Sequence, residues 1–298
     1  MILIDYNGIA VASMYAQQGI SDGKQDPNDP KFLRHLILNS LRMYNKKYRD
    51  QYGEMVICLE GRSWRKDVYS FYKASRGKDR DASGLDWKQI FETFSSVADE
   101  ISKNIPWLVI RHENAEADDI IATLVQKYRE PHMIISNDKD FAQLQLLKDV
   151  KQFSPLKGKL IEEKKPELYL KEHILRGDSG DGIPNFLSND NVLYEEGLRQ
   201  KPLSKKKISE CLENWTYLDE YLNQEQYRNF QRNKTLIDLL SNIPLNIMDE
   251  ISENYRIIER TPNKKVLKYL ISIGANNLIG LADDFFPSTN FKQKVKLQ

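Results

Sequence analysis

The sequence predicts an α/β protein: a mostly parallel central sheet flanked by helices, followed by an all-helical C-terminal region. Three observations lead there. Apolar runs of strand length occur at 1–6, 55–60, 107–112, 132–137 and 150–154. Helix-length segments at 30–49, roughly 64–79, 86–103 and 116–129 separate the first four. Strand and helix alternating in this way build a parallel sheet covered by helices. Beyond about residue 160 the alternation stops, and helical patterns follow at 166–176, 203–213, 225–241 and 264–274, parted by stretches such as Pro184-Asn185 and Asn242-Ile-Pro244. The expected division is an α/β domain over 1–163 and a helical domain over 164–298.

Taken in order, the elements carry a second pattern: acidic residues close the apolar runs. Asp5 ends Met1-Ile-Leu-Ile and stands either at the tip of a central strand or in a turn completed by Asn7-Gly8. The stretch 15–30, with Gly19, Ser21, Asp22, Gly23, Pro27 and Pro30, reads as a loop. In the helix over 30–49, His35 lies in apolar surroundings and is structural. Glu60 ends Met55-Val-Ile-Cys-Leu, and Gly61 leaves a turn residue as the alternative. Trp107-Leu-Val-Ile runs into Glu113-Asn-Ala-Glu116-Ala-Asp118-Asp119, which opens the helix over 116–129. A first helical turn favours acids by about 0.3–1 kcal/mol each. That accounts for one or two of them, not for Glu-x-Asp-Asp directly after a strand. Asn137-Asp138-Lys-Asp140 opens the next helix, where an N-cap is the plain alternative. Glu116/Asp118 and Asp138/Asp140 share one spacing just past consecutive strands, and two such pairs suit two ions. Gly177-Asp178-Ser-Gly-Asp181-Gly182 is a glycine-rich loop that adds carboxylates and lets backbone N–H groups approach a phosphate.

Carboxyl ends of parallel strands line one crevice, where ligands bind. Two carboxylates about 4 Å apart repel by roughly 4 kcal/mol at an effective dielectric of about 20. Six or seven together require protons or cations. Hard divalent cations with oxygen ligands fit best, Mg2+ above all, and such sites do phosphoryl chemistry.

Between Arg62 and Arg80 stand seven basic residues and four aromatics against two acids. A charge run is ordinarily a solvated helix face, but interleaved aromatics suit nucleic-acid strands, whose bases stack while phosphates pair with Lys or Arg. A weaker basic run spans Lys201 to Lys207. Net charge is only +1, so any nucleic-acid footprint is local. Two distant cysteines, Cys58 and Cys211, make neither a zinc site nor a disulfide framework. The chain carries no basic leader and no apolar run of membrane length, which predicts a soluble intracellular protein. The polar stretch from Lys292 to Gln298 reads as a tail.

Together these residues resemble the 5′-nuclease (flap endonuclease) family. The carrying motifs are Leu3-Ile-Asp5, Arg34-His-Leu-Ile-Leu-Asn-Ser40, Trp64-Arg-Lys-Asp67, Tyr72-Lys73 with Arg76-Gly77, Glu116-Ala-Asp-Asp119, Ser136-Asn-Asp-Lys-Asp-Phe141 and Gly177-Asp178 with Asp181. The likeness runs over most of 1–185. It implies a PIN-like 5′-nuclease domain with a helical arch, a duplex-binding C-terminal domain and two Mg2+ ions, which Mn2+ would replace. On matching positions Asp5, Glu60, Glu116 and Asp118 would hold the first ion. Asp138, Asp140 and Asp181 would hold the second, with Asp178 nearby. Tyr72, Lys73 and Arg76 match arch positions that stack on and clamp the reacting strand, with Lys73 and Arg76 offsetting charge on the phosphate. Arg65, Lys66, Lys78, Lys205 and Lys206 would add contacts to nucleic acid. The family has Asp where Glu60 stands, and the Gly-Ile-Gly type turn that many relatives use on duplex is missing after Asp181.

The implied activity is metal-assisted removal of 5′ ends: RNA primers, the DNA after them, and flaps, during lagging-strand replication. The implied substrates are DNA and RNA–DNA duplexes with 5′ ends or flaps. A monomer, a cytoplasmic location (the host's, for a phage gene), and a sliding clamp and single-stranded-DNA-binding protein as partners complete the expectation. Leu281-Ala-Asp-Asp-Phe285-Phe286 is the candidate clamp peptide, although a buried helix end is the favoured reading. A catalytically reduced nucleic-acid-binding adaptor is the alternative. A haloacid-dehalogenase-type phosphatase fails because that chemistry needs a second Asp at position 7, where this chain has Asn.

Overall fold

The computed structural model describes residues 1–18, 26, 28–261 and 264–289, and of 16–18, 78, 79 and 81 the backbone alone. Half of the expected loop over 15–30, residues 19–25 and 27, and the polar tail lie outside the described residues, while 15–18 are helical. Six strands form one sheet in the order β3-β2-β1-β4-β5-β6: β1 (Ile2–Asp5), β2 (Met55–Leu59), β3 (Leu108–Arg111), β4 (His132–Ile135), β5 (Val150–Ser154) and β6 (Lys159–Ile161). The first five pair in parallel, and β6 returns antiparallel on β5. The sheet is therefore the expected one, with an added hairpin at its edge. β6 escapes the sequence because three residues with exposed flanks carry no apolar run.

The helices are α1 (Tyr6–Gln18), α2 (Pro30–Tyr52), α3 (Arg65–Val68), α4 (Arg76–Ala82), α5 (Trp87–Asn104) and α6 (Ala117–Lys127) in the α/β part. After the sheet come α7 (Pro166–Arg176), α8 (Lys205–Glu213), α9 (Leu218–Tyr221), α10 (Gln224–Ile237), α11 (Leu245–Ile257), α12 (Val266–Ser272) and α13 (Asn276–Ile279). Asp29 caps α2 by accepting from the Lys31 N–H, Pro30 supplies its first turn, and Gly53 at φ 80° ends it. Three departures from the sequence reading stand out. Asn7-Gly8, read as a possible turn, opens α1. The helix expected over 64–79 is two short helices parted by turns. A helix appears at Leu245–Ile257, where Ile247, Met248, Ile251 and Tyr255 form a narrow buried stripe on an otherwise polar sequence.

Three cores result. One lies on the face of the sheet covered by α1, α2 and α5, the second on the face covered by α6 and α11. The third joins α7, α8 and α10 to Tyr69 and Tyr72. The division expected at 163/164 does not follow these cores. Val266, Tyr269, Leu270 and Phe285 close the first, and Leu239, Ile243 and Ile251 the second. Phe285 is fully buried, its ring stacked on Trp107 at 5.5 Å, while Asp284 takes Arg42 at 2.6 Å. Within the candidate clamp peptide Asp284 and Phe285 are buried, while Leu281 and Asp283 are exposed. Both cysteines are buried free thiols. Among the described residues no helix is long and apolar enough to cross a membrane.

Candidate active site

Parallel strands put their carboxyl ends on one edge, and β1 lies between β2 and β4. Asp5 is the last residue of β1, Glu60 follows β2, Glu116 and Asp118 sit at the head of α6 after β3, and Asp138 follows β4. Each is fixed locally. The Ser136 hydroxyl donates to Asp5 at 2.7 Å and the Gly8 N–H at 3.1 Å. A side chain at position 8 would place its Cβ 2.4 Å from Asp5 Oδ2, so glycine there lets α1 start against the carboxylate. The Ala117 N–H donates to Glu60 at 3.2 Å, and the Asp140 N–H to Asp138 at 2.9 Å.

These carboxyl groups raise one another's proton affinity. Burial pushes Asp118 well above the usual carboxylate range, and Asp138 and Glu60 push it further. Burial likewise raises Asp5, with Asp138 adding to it, and raises Asp138 itself. Glu60 is lifted to about 7 by burial and then by Glu116, and Asp140 to about 7 by burial and then by Asp138. A set of oxygen donors that resists ionisation on its own is what a hard divalent cation relieves.

The glycine-rich loop completes the other side. Asp178 accepts from the N–H groups of Gly180 at 2.8 Å and Asp181 at 3.2 Å. His173, in the last turn of α7, lies between Asp178 (Nε2, 3.2 Å) and Asp140 (Nδ1, 3.5 Å). Donor atoms of Asp140, His173 and Asp178 fall within 4.8 Å of one another, a spacing that can hold a metal ion. His173 has no role in the sequence reading. The missed signal is that a helix ending at Gly177 carries His173 back over the loop that follows. Burial works against a charge on His173, but the Asp178 hydrogen bond and Asp140 raise its pKa.

Facing the carboxylates is a cationic wall. Lys73 donates to Glu116 at 2.6 Å and lies 3.5 Å from Asp181; Arg76 meets Asp181 at 2.5 Å. Lys73 adopts a left-handed backbone (φ 56°), and its N–H donates to the Asp181 carbonyl at 2.8 Å. This conformation, uncommon for a side-chain-bearing residue, interrupts the expected helix and seats the arch segment on the loop. The Gly182 Cα sits so near that a Cβ there would come within 2.7 Å of the Phe71 carbonyl.

Two expected nucleic-acid contacts are corrected. Tyr72 is buried, not stacked at the surface: its hydroxyl donates to Glu116 at 2.9 Å and Asp181 at 3.0 Å. Arg65 is buried as well, bound to Glu116 at 3.0 Å and to both oxygens of Asp119 at 3.0 and 2.8 Å. Both face inward because Glu116 and Asp119 need partners beneath the site. Glu116, also bonded by Ser63 at 2.7 Å, is held down to about 2 against its burial by Lys73 and Arg65. Lys66, Lys205 and Lys206 are exposed. The Lys78 side chain lies outside the described residues.

Metal-free protein is expected to lose stability as pH rises. Folded Glu60 and Asp140 keep protons to about 7, whereas their ordinary values are 4.5 and 3.8. In that window the folded state binds more protons, so stability is greatest at its acid end and declines through pH 7. The raised His173 acts in the same direction. Glu116 opposes only below its ordinary 4.5, while the Met1 amino group, lowered by burial to about 6, and His132, lowered by burial to about 4, oppose within the window and make the decline smaller. Divalent metal displaces these protons, so its stabilisation should grow with pH, reaching about 2.7 kcal/mol at a hundred times Kd. Melting curves between about pH 5.5 and about pH 8, with EDTA and with Mg2+, check this. A metal-free melting temperature that climbs across the range contradicts it.

Two family profiles match the chain. The 5′-3′ exonuclease, N-terminal resolvase-like domain, covers residues 1–174, and the T4 RNase H C-terminal domain covers 164–285. The chain is 32% identical over 295 residues to the ribonuclease H of Enterobacteria phage T4, spanning 95% of each. It is 28% identical over 178 residues to the flap endonuclease Xni of Shewanella denitrificans, 56% of this chain and 67% of that one. Among solved structures, the bacteriophage T5 flap endonuclease in a pseudo-enzyme-product complex with DNA and metal ions superposes with a TM-score of 0.61 at 17% identity, over 86% of this chain and 98% of that one. The T5 5′-exonuclease with zinc bound gives 0.58 at 16%, over 87% and 99%.

Proposed function

Because the chain belongs to the 5′-3′ exonuclease family and is thereby a metal-dependent phosphodiesterase, we propose that it uses two Mg2+ ions to remove RNA primers and the DNA beyond them from 5′ ends, and to cut flaps, during lagging-strand replication. The supporting observation is the convergence of carboxylates from four strand ends and the glycine-rich loop, with proton affinities raised by burial and mutual repulsion.

When bound, the ions would supply an activated water and offset charge on the phosphate. Asp5, Glu60, Asp118 and Asp138 are the residues placed to hold the first ion. Asp140, Asp178 and His173, whose donor atoms lie within 4.8 Å of one another, would hold the second, and Mn2+ would serve in place of Mg2+. Glu116 gives both its oxygens to donors, so in this arrangement it holds Lys73 and Arg65 in place, and Asp181 likewise gives its oxygens to Arg76 and Tyr72. Lys73 and Arg76 stand where the scissile phosphate must approach the carboxylates, and they oppose the negative charge that grows on it. Tyr72 orients Glu116 and Asp181. Exposed Lys66, Lys205 and Lys206 meet backbone phosphates, the last two giving the helical C-terminal part its hold on duplex. A sliding clamp and a single-stranded-DNA-binding protein are the partners such a role calls for.

A 5′-labelled RNA-primed template tests the reading. Short 5′ products are expected with Mg2+ and none with EDTA. Metal-independent products, or internal cuts without 5′ polarity, would sink it. Nicked and flapped DNA run in parallel rank the substrates. Lys73→Ala is expected to slow the single-turnover rate by about 10²–10³, the usual effect of losing one charge-stabilising donor, with duplex affinity largely kept. Lost binding at an unchanged single-turnover rate would refute the role.

A further inference from the structure

The hairpin that β6 adds to the sheet is assigned no task by the reading above. Its tip, residues 155–158, lies at the carboxyl end of β5, the end from which Asp5 and Asp138 emerge. The tip carries Leu156, at 81% the most exposed large apolar side chain among the described residues. Lys157 and Lys159 follow it and are exposed, as is Lys151 nearer the other end of β5. Gly158, at φ +63°, closes the turn.

The tip is not a loose loop. Asn137, the residue before Asp138, accepts from the Leu156 N–H at 2.9 Å and the Ser154 hydroxyl at 2.8 Å. Gln152, buried on β5, donates to the carbonyls of Ser136 at 3.1 Å and Asp138 at 2.5 Å. The Ser154 hydroxyl in turn accepts from the Lys157 N–H at 3.2 Å. The chain that carries the metal-site carboxylate and the chain that carries the tip are thus one hydrogen-bonded unit. An exposed leucine followed by two exposed lysines, held in register with a phosphodiester-cleaving site, has the chemistry of a duplex contact. Leucine is among the apolar side chains that wedge against base steps, and lysines pair with phosphates.

We propose that the β5–β6 tip is a substrate-contacting element. Leu156 packs on the base pair at the edge of the duplex, Lys157 and Lys159 hold two backbone phosphates, and the Asn137 link sets the distance from that contact to the bond that is cut. This rests on the nuclease reading. The occupant is the nucleic-acid substrate and not a protein strand, because two exposed lysines follow the leucine at the tip and the site it is tied to cuts a polyanion.

The test pairs two surface variants. Binding of a flapped DNA duplex is measured in the Asp118→Asn background with Mg2+, across salt concentrations. Lys157→Glu with Lys159→Glu is expected to weaken binding about tenfold at low salt and to lower the salt slope by about 1.8, the value for two lost phosphate contacts. Leu156→Ser, in the otherwise intact enzyme, is expected to keep the slope and to spread the cleavage products over neighbouring positions. Unaltered affinity, slope and product pattern in both variants would overturn the proposal. So would a loss confined to a protein partner with duplex binding intact. Cleavage by the unmodified enzyme in the same series shows separately whether the nuclease reading holds. Unchanged melting temperatures confirm that the variants fold.

Discussion

Asp118→Asn and Asp138→Asn are each expected to abolish cleavage in Mg2+ while the protein stays folded. Both substitutions keep the side-chain shape and remove a charge that the cation needs. Charge stabilisation by a metal is worth several kcal/mol, and each 1.36 kcal/mol is tenfold, so the rate should fall by about 10³ or more. The fold is not at risk, for a reason specific to this site. Both acids have raised pKa values because burial and like charges penalise their ionised forms. At neutral pH an amide there removes repulsion, so the metal-free variants should melt no lower than the parent. Their stabilisation by added Mg2+ should shrink. Single-turnover cleavage and melting curves with and without metal give both readings, and normal turnover by the two variants would end the metal-centred account.

The second large effect is on stability. Arg65→Ala is expected to cost about 3–5 kcal/mol, the range for breaking a buried ion pair from one side. Arg65 is 2% exposed, and Asp119 beneath it is fully buried. The same guanidinium donates from Nε to the Leu236 carbonyl at 2.8 Å, at the end of α10. One side chain thus joins the arch segment, the head of α6 and the helical region. At about 2–4 °C per kcal/mol for chains somewhat shorter than this one, the melting temperature should drop by roughly 10 °C. Arg65→Lys should recover only part of this, because an ammonium cannot reproduce the planar fork that spans both Asp119 oxygens. A melting temperature within a degree or two of the parent would mean that the pair is dispensable.

The strands and the carboxylates were legible because both are local signals. An apolar run of strand length ending in Asp or Glu can be read without knowing its neighbours, and parallel pairing then brings the ends together. What stayed hidden depends on tertiary partners. Tyr72 and Arg65 sit in a basic, aromatic stretch that reads as surface, yet Glu116 and Asp119 draw them inward. His173 gains meaning only when the turn at Gly177 folds Asp178 back beside it. The helix at Leu245–Ile257 buries a stripe too narrow to stand out from its polar residues. The break at Lys73 is set by a hydrogen bond to Asp181, more than a hundred residues away in sequence.

The side chains that seal the first core have a consequence for when the enzyme comes into being. Val266, Tyr269, Leu270 and Phe285 are made more than a hundred residues after the last strand, yet they cover a face of the sheet whose strands came first. Until they arrive, the nascent chain keeps that surface open, a state prone to aggregation and chaperone capture. Cutting power therefore waits on residues far downstream of the site carboxylates, and a message broken before Val266 yields a target for proteolysis instead of a stray DNA-damaging fragment.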